Sequence, residues 1–460
     1  MARTSTYTQF IALPPETLWQ VVGNPGHWSR WNPAVTSAVL DGPVAVGAGG
    51  RYMPRGPVAE RVHRWTSTPF RITEVTPGRS LTLEQPEPPS GVMRVTWMLE
   101  PHGTGTLVTQ ALTFTGVAGP AARAVAGARL EADGRVMFAR LALAAGITPD
   151  ADALAVVIAG GSGALGRNLA ADLVCRGLGV TVLTRRHDPK LPFAQVEWDG
   201  RTVGDWARAL DDPTETAIVN LAGRIVDCRP TPRNIARLRD SRVESTRALV
   251  TAVAAQPEPV ARWIQASTTA IWSDAGELRC TETTPLPEGL PQMTGVARPW
   301  EEAFDGAKAD HSTILRTSIV LDRHAPALRR LVQLTKAGLG GRVGSGAQWF
   351  SWIHIEDWLA IVRAALGLDP DITLPNGILV AATDSPVRNH ELMSTLRHHL
   401  HRPPAPPTPT LALTLGAILL RTDPALALTG RHTTSPALRD AGFTFRYPTL
   451  PEALTDLIPR

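Results

Sequence analysis

Residues 155–166 read Ala-Val-Val-Ile-Ala-Gly-Gly-Ser-Gly-Ala-Leu-Gly, an apolar run that breaks into glycines at 160, 163 and 166. This order of residue types suits the seating of a pyrophosphate. Glycine tolerates positive φ and lets the backbone approach an anion closely. A helix opening at the loop adds free N–H groups and the positive end of a dipole. The Arg167–Gly177 stretch reads as that helix, so Gly160, Gly163, Ala164, Leu165 and Gly166 are the expected contacts of a dinucleotide.

The next apolar run ends Val182-Leu183-Thr184-Arg185-Arg186. A carboxylate here would bind the ribose 2′-hydroxyl of NAD, whereas arginine accommodates a 2′-phosphate. Thr184, Arg185 and Arg186 therefore favour NADP over NAD. The plain alternative is two solvated arginines closing a strand. Asp199, in Trp198-Asp199-Gly200, is placed to meet the adenine amino group. Leu221, Ala222 and Gly223 follow Asn220 in a turn of small residues that lets the backbone approach the cofactor's ribose and phosphates.

Three textures position these residues. Residues 1–147 hold runs of period two, such as Arg94-Val-Thr-Trp-Met-Leu-Glu, separated by Gly/Pro turns, which predict an antiparallel sheet with one face on a core. They close on an Ala/Arg/Leu-rich helix over 121–145, and residues 148–153 read as a linker. From 154 to 370, buried apolar strands (156–159, 180–183, 217–221, 263–266 and 313–315) alternate with helices, as in a doubly wound parallel sheet. Residues 371–460 turn Pro-rich and read as a helical appendage on that second module.

Composition narrows the function. At 460 residues, a prior of about 150 per domain gives two or three domains. A net charge of +4 with no dense basic run argues against nucleic acid. Cys175, Cys228 and Cys280 are scattered, without metal-ligand spacing, as in a reducing compartment. The N-terminus has no apolar signal core, and the apolar run at 411–420 falls short of the roughly 20 residues that span a bilayer. A cytoplasmic protein with no membrane span and no metal is expected.

These residues, with Asp240-Ser-Arg-Val-Glu-Ser-Thr-Arg247, Leu315-Arg-Thr-Ser-Ile-Val-Leu321 and Gly344-Ser-Gly-Ala-Gln-Trp-Phe-Ser-Trp-Ile-His-Ile-Glu-Asp357, occur in an order that resembles the atypical extended short-chain dehydrogenase/reductases labelled NAD(P)-dependent epimerase-like. The tail, with Pro386-Val-Arg-Asn389 and Ala441-Gly-Phe-Thr-Phe-Arg-Tyr-Pro448, resembles that group's C-terminal domain. The opening, Phe10-Ile-Ala-Leu-Pro-Pro-Glu-Thr-Leu-Trp19 and His27-Trp-Ser-Arg-Trp-Asn-Pro33, resembles a START-like, polyketide-cyclase-type domain. The resemblance implies an α/β Rossmann module preceded by an α+β helix-grip module with room for an apolar ligand. Trp19, Trp28, Trp31, Trp65 and Trp97 either line such a cavity or simply fill the core.

The resemblance also implies a Tyr-x-x-x-Lys pair and a Ser/Thr hydroxyl. The hydroxyl has counterparts in Thr268 and Ser267, the latter also beside the cofactor. Ile271-Trp272-Ser273 stands where relatives carry a Val-Tyr-Gly-like triplet. Aligning Trp300-Glu301 with the family's helix glutamate puts Met293 at the tyrosine position and Ala297 at the lysine position, and residues 151–446 hold no tyrosine at all. Lys308 reads as a surface lysine.

Two functions follow. One is an NADP-dependent oxidoreductase or epimerase-like enzyme with other acid/base groups and an unidentified small-molecule substrate. His354, Asp357 and Arg316 are its candidates, with Arg224, Cys228 and Arg242 near the cleft and Trp272, Gln348 and Trp349 shaping it. Each of these has a structural alternative, a hydrogen-bonded histidine being the commoner fate for His354. The other is a non-turning NADPH sensor carrying an apolar ligand or partner on its START-like module, in a group associated with bacterial and plastid cell division.

Overall fold

The computed structural model describes residues 3–55, 68–87, 91–116, 134–150, 152–212, 215–411, 413 and 422–458. The first seven strands are β1 (Arg3–Ile11), β2 (Val35–Leu40), β3 (Gly49–Pro54), β4 (Thr68–Thr76), β5 (Ser80–Glu87), β6 (Gly91–His102) and β7 (Gly105–Phe114). They form one antiparallel sheet in the order β1-β7-β6-β5-β4-β3-β2. Burial alternates along the middle of β6, as the period-two reading requires. The buried face holds Ile72, Leu81, Trp97 and Leu112.

The helix Gly134–Ala144 packs into the grip of this sheet with Phe138 and Leu141 fully buried, and residues 121–133 of the expected helix lie outside the described residues. Trp97 meets Trp28, Trp31 and Phe138 edge to face at 6.1, 5.2 and 6.1 Å between centroids. This is the geometry that aromatic quadrupoles favour. The tryptophans thus mainly fill the core. Trp19 is half-buried, and Trp65 lies outside the described residues.

The second sheet contains β8 (Ala155–Ala159), β9 (Val180–Thr184), β10 (Ala194–Glu197), β11 (Thr216–Asn220), β12 (Val260–Thr268), β14 (Ala309–Thr317) and β18 (Gly377–Ala381). Every pairing is parallel, in the order β10-β9-β8-β11-β12-β14-β18, with the reversal between β8 and β11. All five residues of β11 are buried, which is what helices on both faces of a parallel sheet produce. β18 lies beyond 370, where the sequence reading ends this module. Its apolar run, Ile378 to Ala381, is short and hidden among Pro and Gly.

Two short ladders join the tail to the C-terminal rim of the sheet, β13 (Arg279–Cys280) with β20 (His432–Thr433) and β16 (Trp349–Phe350) with β19 (Val387–Arg388), while β15 (Ile319–Leu321) pairs with β17 (Trp352–His354) within the second module. The last helix, Leu450–Leu457, opens with a Thr449/Glu452 capping box and packs Leu454 against Leu392 and Leu396 of helix Asn389–His399.

The two modules share one apolar core, in which Ile11 and Phe138 join Leu169, Ala170 and Trp358. The Ala12 N–H donates to Cys175 O at 2.8 Å, and the expected linker docks, Asp150 N–H donating to Gly177 O at 3.2 Å. Among the described residues, no helix is long and apolar enough to cross a membrane, and no group of His, Cys, Asp and Glu is placed to hold a metal ion. Cys175, Cys228 and Cys280 are unbridged.

Candidate functional site

Strand β8 delivers the chain to Gly160 at φ +78°, and a Cβ there would lie 2.8 Å from the Leu221 carbonyl. Gly163 caps helix Ala164–Cys175, and among the described residues no side chain is bonded to its first N–H groups. A Cβ at Gly166 would fall 2.5 Å from Gly161 Cα, so helix and loop are in backbone contact. The Ala164 and Leu165 N–H groups stand in the first helical turn, where an anion is the natural partner. The site therefore fits a pyrophosphate on its own geometry.

At the end of β9 the buried Thr184 hydroxyl donates to Arg186 O at 2.9 Å and fixes the turn. Arg185 and Arg186 project into solvent from that turn, and no ion pair holds either among the described residues. Asp199 is exposed, and its carboxylate accepts from Arg201 N at 2.8 Å, Thr202 N at 2.9 Å and the Thr202 hydroxyl at 2.7 Å. The Thr202 N–H leads the interactions that hold it below the usual carboxylate range. Its main work is to shape the turn after β10.

After β11, Asn220 is fully buried and donates to Thr246 Oγ1 at 3.0 Å and Gln265 Oε1 at 2.9 Å. Its own Oδ1 accepts from Ala222 N at 3.1 Å, and Leu221 N–H donates to Ala159 O at 2.9 Å. These bonds set the Leu221–Gly223 backbone beside Gly160. Arg242 lies against Gly223, donates to Leu238 O and Arg224 O, and stacks over Trp300 at 5.1 Å. Burial pushes its guanidinium down to about 10. Arg242 thus braces the loop that carries Arg224, whereas Arg224 is exposed and Cys228 half-buried.

Strand β12 ends in Ser267 and Thr268, which point to opposite faces. Ser267 Oγ donates to Glu301 Oε1 at 2.5 Å, and Arg316 grips the same carboxylate through Nε at 2.9 Å and Nη2 at 2.7 Å. All three are buried or nearly so, and Arg316 also lies over the Trp272 ring at 4.9 Å. Ser267 and Arg316 therefore belong to a closed ion-paired triad. Thr268 differs: its Oγ1 accepts from Ala270 N at 3.1 Å, and its hydroxyl proton has no acceptor among the described residues.

Met293 caps helix Thr294–Glu302, and Ala297 lies buried within it. Neither carries a titratable group. Ser273 sits at φ +52°, a region that disfavours any residue but glycine. Its carbonyl accepts from Arg431 Nε at 2.6 Å. Lys308 Nζ donates to Ala254 O on the surface. Trp272 is buried, Gln348 Nε2 donates to Ala427 O at 2.9 Å, and Trp349 stacks on His432 at 4.3 Å.

His354 is 1% exposed and caps helix Ile355–Ala365 by accepting from Glu356 N at 3.1 Å. Its ring stacks on Tyr447 at 3.8 Å, with Nε2 3.3 Å from Asp456 Oδ2. Asp357 accepts from Arg446 N at 2.7 Å and Tyr447 N at 3.1 Å, and burial raises its carboxyl against those two bonds. Both residues anchor the tail. The geometry gives His354 a docking role and brings it to none of the glycine-loop residues.

Sequence reasoning used Glu301 only as a register mark and missed Asp172 and Arg431. In the N-terminal module, Trp28, Asn32, Gln85 and Gln110 line a cavity of about 30 Å³, room for about one or two waters. The Oε1 atoms of Gln85 and Gln110 are buried there with no hydrogen-bond partner among the described residues.

Residues 2–146 match the family described as polyketide cyclase/dehydrase and lipid transport, residues 156–292 the NAD dependent epimerase/dehydratase family, and residues 408–457 a domain of unknown function, DUF1731. Epimerase family protein Mb2239 of Mycobacterium bovis is 31% identical over 302 residues, spanning 65% of this chain and 96% of the relative. Human epimerase family protein SDR39U1 is 27% identical over 308 residues, 66% of this chain and 99% of the relative. The crystal structure of human SDR39U1 (isoform 2) with NADPH matches 66% of this chain and 99% of its own at 26% identity, with a TM-score of 0.57. A nucleoside-diphosphate sugar epimerase from Corynebacterium glutamicum matches 98% of this chain and 90% of its own with a TM-score of 0.59. At 23% identity that is a likeness of fold, and it takes in the N-terminal module.

Proposed function

This chain belongs to the NAD-dependent epimerase family, and on that premise we propose that it is an NADP-binding oxidoreductase or epimerase-like protein working without a tyrosine–lysine pair. The observation that carries the reading is the glycine loop, where Cβ atoms at 160 and 166 would strike backbone. Exposed Arg185 and Arg186 at the end of β9 support the 2′-phosphate form, and NADPH in the human relative's crystal structure agrees. Gly160, Gly163, Ala164, Leu165 and Gly166 would hold the pyrophosphate, with Leu221–Gly223 against the ribose and Asp199 at the adenine end. When bound, NADPH supplies a hydride.

Thr268 is the side chain left to face substrate, its hydroxyl proton free to steady a substrate oxygen. Ser267 stays with Glu301 and Arg316 and keeps the end of β12 rigid. Protons enter from solvent or from substrate, since Met293 and Ala297 cannot move them.

A second reading is supported by that same pair of residues: a protein that binds NADPH and senses its level, with a small apolar ligand or a partner on the START-like module. Calorimetric titration with NADPH and then NADH tests the first step. Tight binding of NADPH with weak NADH supports the assignment, and no binding of either overturns it. NADPH oxidation across a panel of carbonyl and unsaturated substrates then separates the two readings: turnover marks the enzyme, and binding without turnover marks the sensor.

A further inference from the structure

Arg431 is a guanidinium held in place with no ion pair among the described residues. Its Nε donates to Ser273 O at 2.6 Å, and its Nη2 to Thr429 Oγ1 at 2.8 Å and to Met293 Sδ at 3.4 Å. Nη1 makes no hydrogen bond to any described residue, and the residue is half-buried. Asp274, the carboxylate acting on it through space, is tied to Gly430 N at 3.0 Å and forms no ion pair with it. The contrast with Arg316 is direct, since Glu301 takes two nitrogens of that guanidinium.

The backbone behind Arg431 is fixed as well. Its N–H donates to Trp349 O at 3.3 Å, and Ser351 Oγ donates to Arg431 O at 2.6 Å. Gly430 has no room for a Cβ, which would lie 2.3 Å from Trp349 N. On the other side, Ser273 accepts a left-handed φ of +52° to aim its carbonyl at the guanidinium. Left-handed backbone costs roughly 1–3 kcal/mol at a residue other than glycine. An unpaired cation in a largely buried setting adds a desolvation cost, and burial pushes the Arg431 guanidinium down to about 10. The fold carries both costs to keep one charge against Met293.

We infer that Arg431 is an anion-recognition residue of the substrate cleft, its free Nη1 receiving a carboxylate of the substrate beside Met293, where the family's tyrosine would stand. This rests on the substrate side proposed above at Thr268 and adds the substrate class to it. A fixed cation recognises an anionic oxygen without exchanging its proton, which suits a site with neither tyrosine nor lysine. A carboxylate fits better than a phosphate: a single nitrogen with its two N–H groups is free, Asp274 is nearby, and no second cation contacts Arg431 among the described residues.

The test uses the full-length protein with and without saturating NADPH, titrated calorimetrically with benzoate and with inorganic phosphate at matched ionic strength. Benzoate is expected to bind the natural chain, and Arg431→Met to weaken it roughly 10- to 100-fold, the worth of a charged hydrogen bond. Arg431→Lys keeps the charge but not the planar fork, so it is expected to weaken binding by less. NADPH affinity should stay within about twofold in both variants, since neither touches the glycine loop. Benzoate binding that is absent, or unchanged in Arg431→Met, overturns the proposal. Phosphate binding tighter than benzoate overturns the carboxylate assignment. If Arg431→Met fails to fold, Arg431→Lys decides, because undiminished benzoate affinity there counts against the proposal. Failure of NADPH to bind sinks only the cofactor reading, as the titration without NADPH still reports on Arg431.

Discussion

The Gln9 amide donates to the Asp172 carboxylate at 3.0 Å and joins the first strand of the START-like module to the helix that opens at the glycine loop. Asp172 is 2% exposed and also receives Arg363 at 2.8 Å and Arg176 at 3.2 Å. Arg135, from the grip helix, donates to Gln9 Oε1 at 2.7 Å and pairs with Glu356. One carboxylate thus organises side chains from four elements.

Replacing Asp172 by Asn should therefore destabilise the protein well beyond the loss of a surface pair. Breaking a buried pair costs roughly 3–5 kcal/mol, and the partial exposure of Arg176 and Arg363 argues for the low end. Urea unfolding of the two proteins measures it. A difference below about 1 kcal/mol, the value of an exposed pair, would mean that the network does not hold the modules together.

The same residue gives a pH dependence of known sign. Burial by itself would raise the Asp172 carboxyl, but Arg363, Arg176, Arg135 and the Gln9 amide outweigh it and hold it well below the ordinary range. Its folded value lies below the unfolded value of about 3.9, so its stabilisation is complete above about pH 4 and fades as pH falls toward the folded value. The gap in unfolding free energy between the natural chain and Asp172→Asn should stay level from neutral pH down to about 5 and close below about 4. A gap that instead opens in acid would reverse the assigned sign.

Gly166→Ala tests the loop itself. The added methyl would meet Gly161 Cα at 2.5 Å and Gly160 O at 2.6 Å, both backbone atoms that cannot swing aside. The expected cost is about 1–3 kcal/mol of stability from overpacking. NADPH affinity should fall roughly tenfold or more as the helix N–H groups move off the phosphate. Unchanged affinity by calorimetry would remove the pyrophosphate from this loop.

The loop was legible because all its determinants are local. Strand, glycines and helix follow one another in the chain, and the steric reasons for Gly160 and Gly166 act within that segment and the neighbouring β11 turn. The parallel, doubly wound sheet follows from the same alternation of apolar runs and helices. What stayed hidden depends on distant pairing. Nothing near Asp172 announces Gln9, more than a hundred and fifty positions earlier, and a buried aspartate in an apolar helix looks like any other polar residue. Arg431 was equally silent, because its partners Ser273 and Met293 meet it only after the tail folds back through β13 and β20. His354 stayed between two readings for the same reason: its apolar neighbours fit a catalytic strand end as well as the Tyr447 stack it joins.

Charge reversal at the end of β9 separates the two nicotinamide cofactors. Arg185→Glu with Arg186→Glu removes two exposed cations that pair with no described residue, so stability should change by less than about 0.5 kcal/mol. NADPH binding should weaken by at least about tenfold while NADH binding changes little, because charge-assisted bonds to a 2′-phosphate are worth roughly 1.5–3 kcal/mol. Equal weakening of both cofactors would move the 2′-phosphate elsewhere.

Thr268 separates catalysis from architecture. Its Oγ1 accepts the Ala270 N–H at the head of a short 3₁₀ turn, so Thr268→Val should cost about 1 kcal/mol as a lost cap. NADPH affinity should be kept, since the glycine loop and the Asn220 network are untouched. If the protein turns over a substrate, Thr268→Val should lower kcat by roughly a hundredfold or more with little change in KM, and Thr268→Ser should restore most of it. A merely structural threonine would give the stability loss with kcat intact. Should valine and serine variants both turn over normally, the Thr268 hydroxyl has no part in the chemistry.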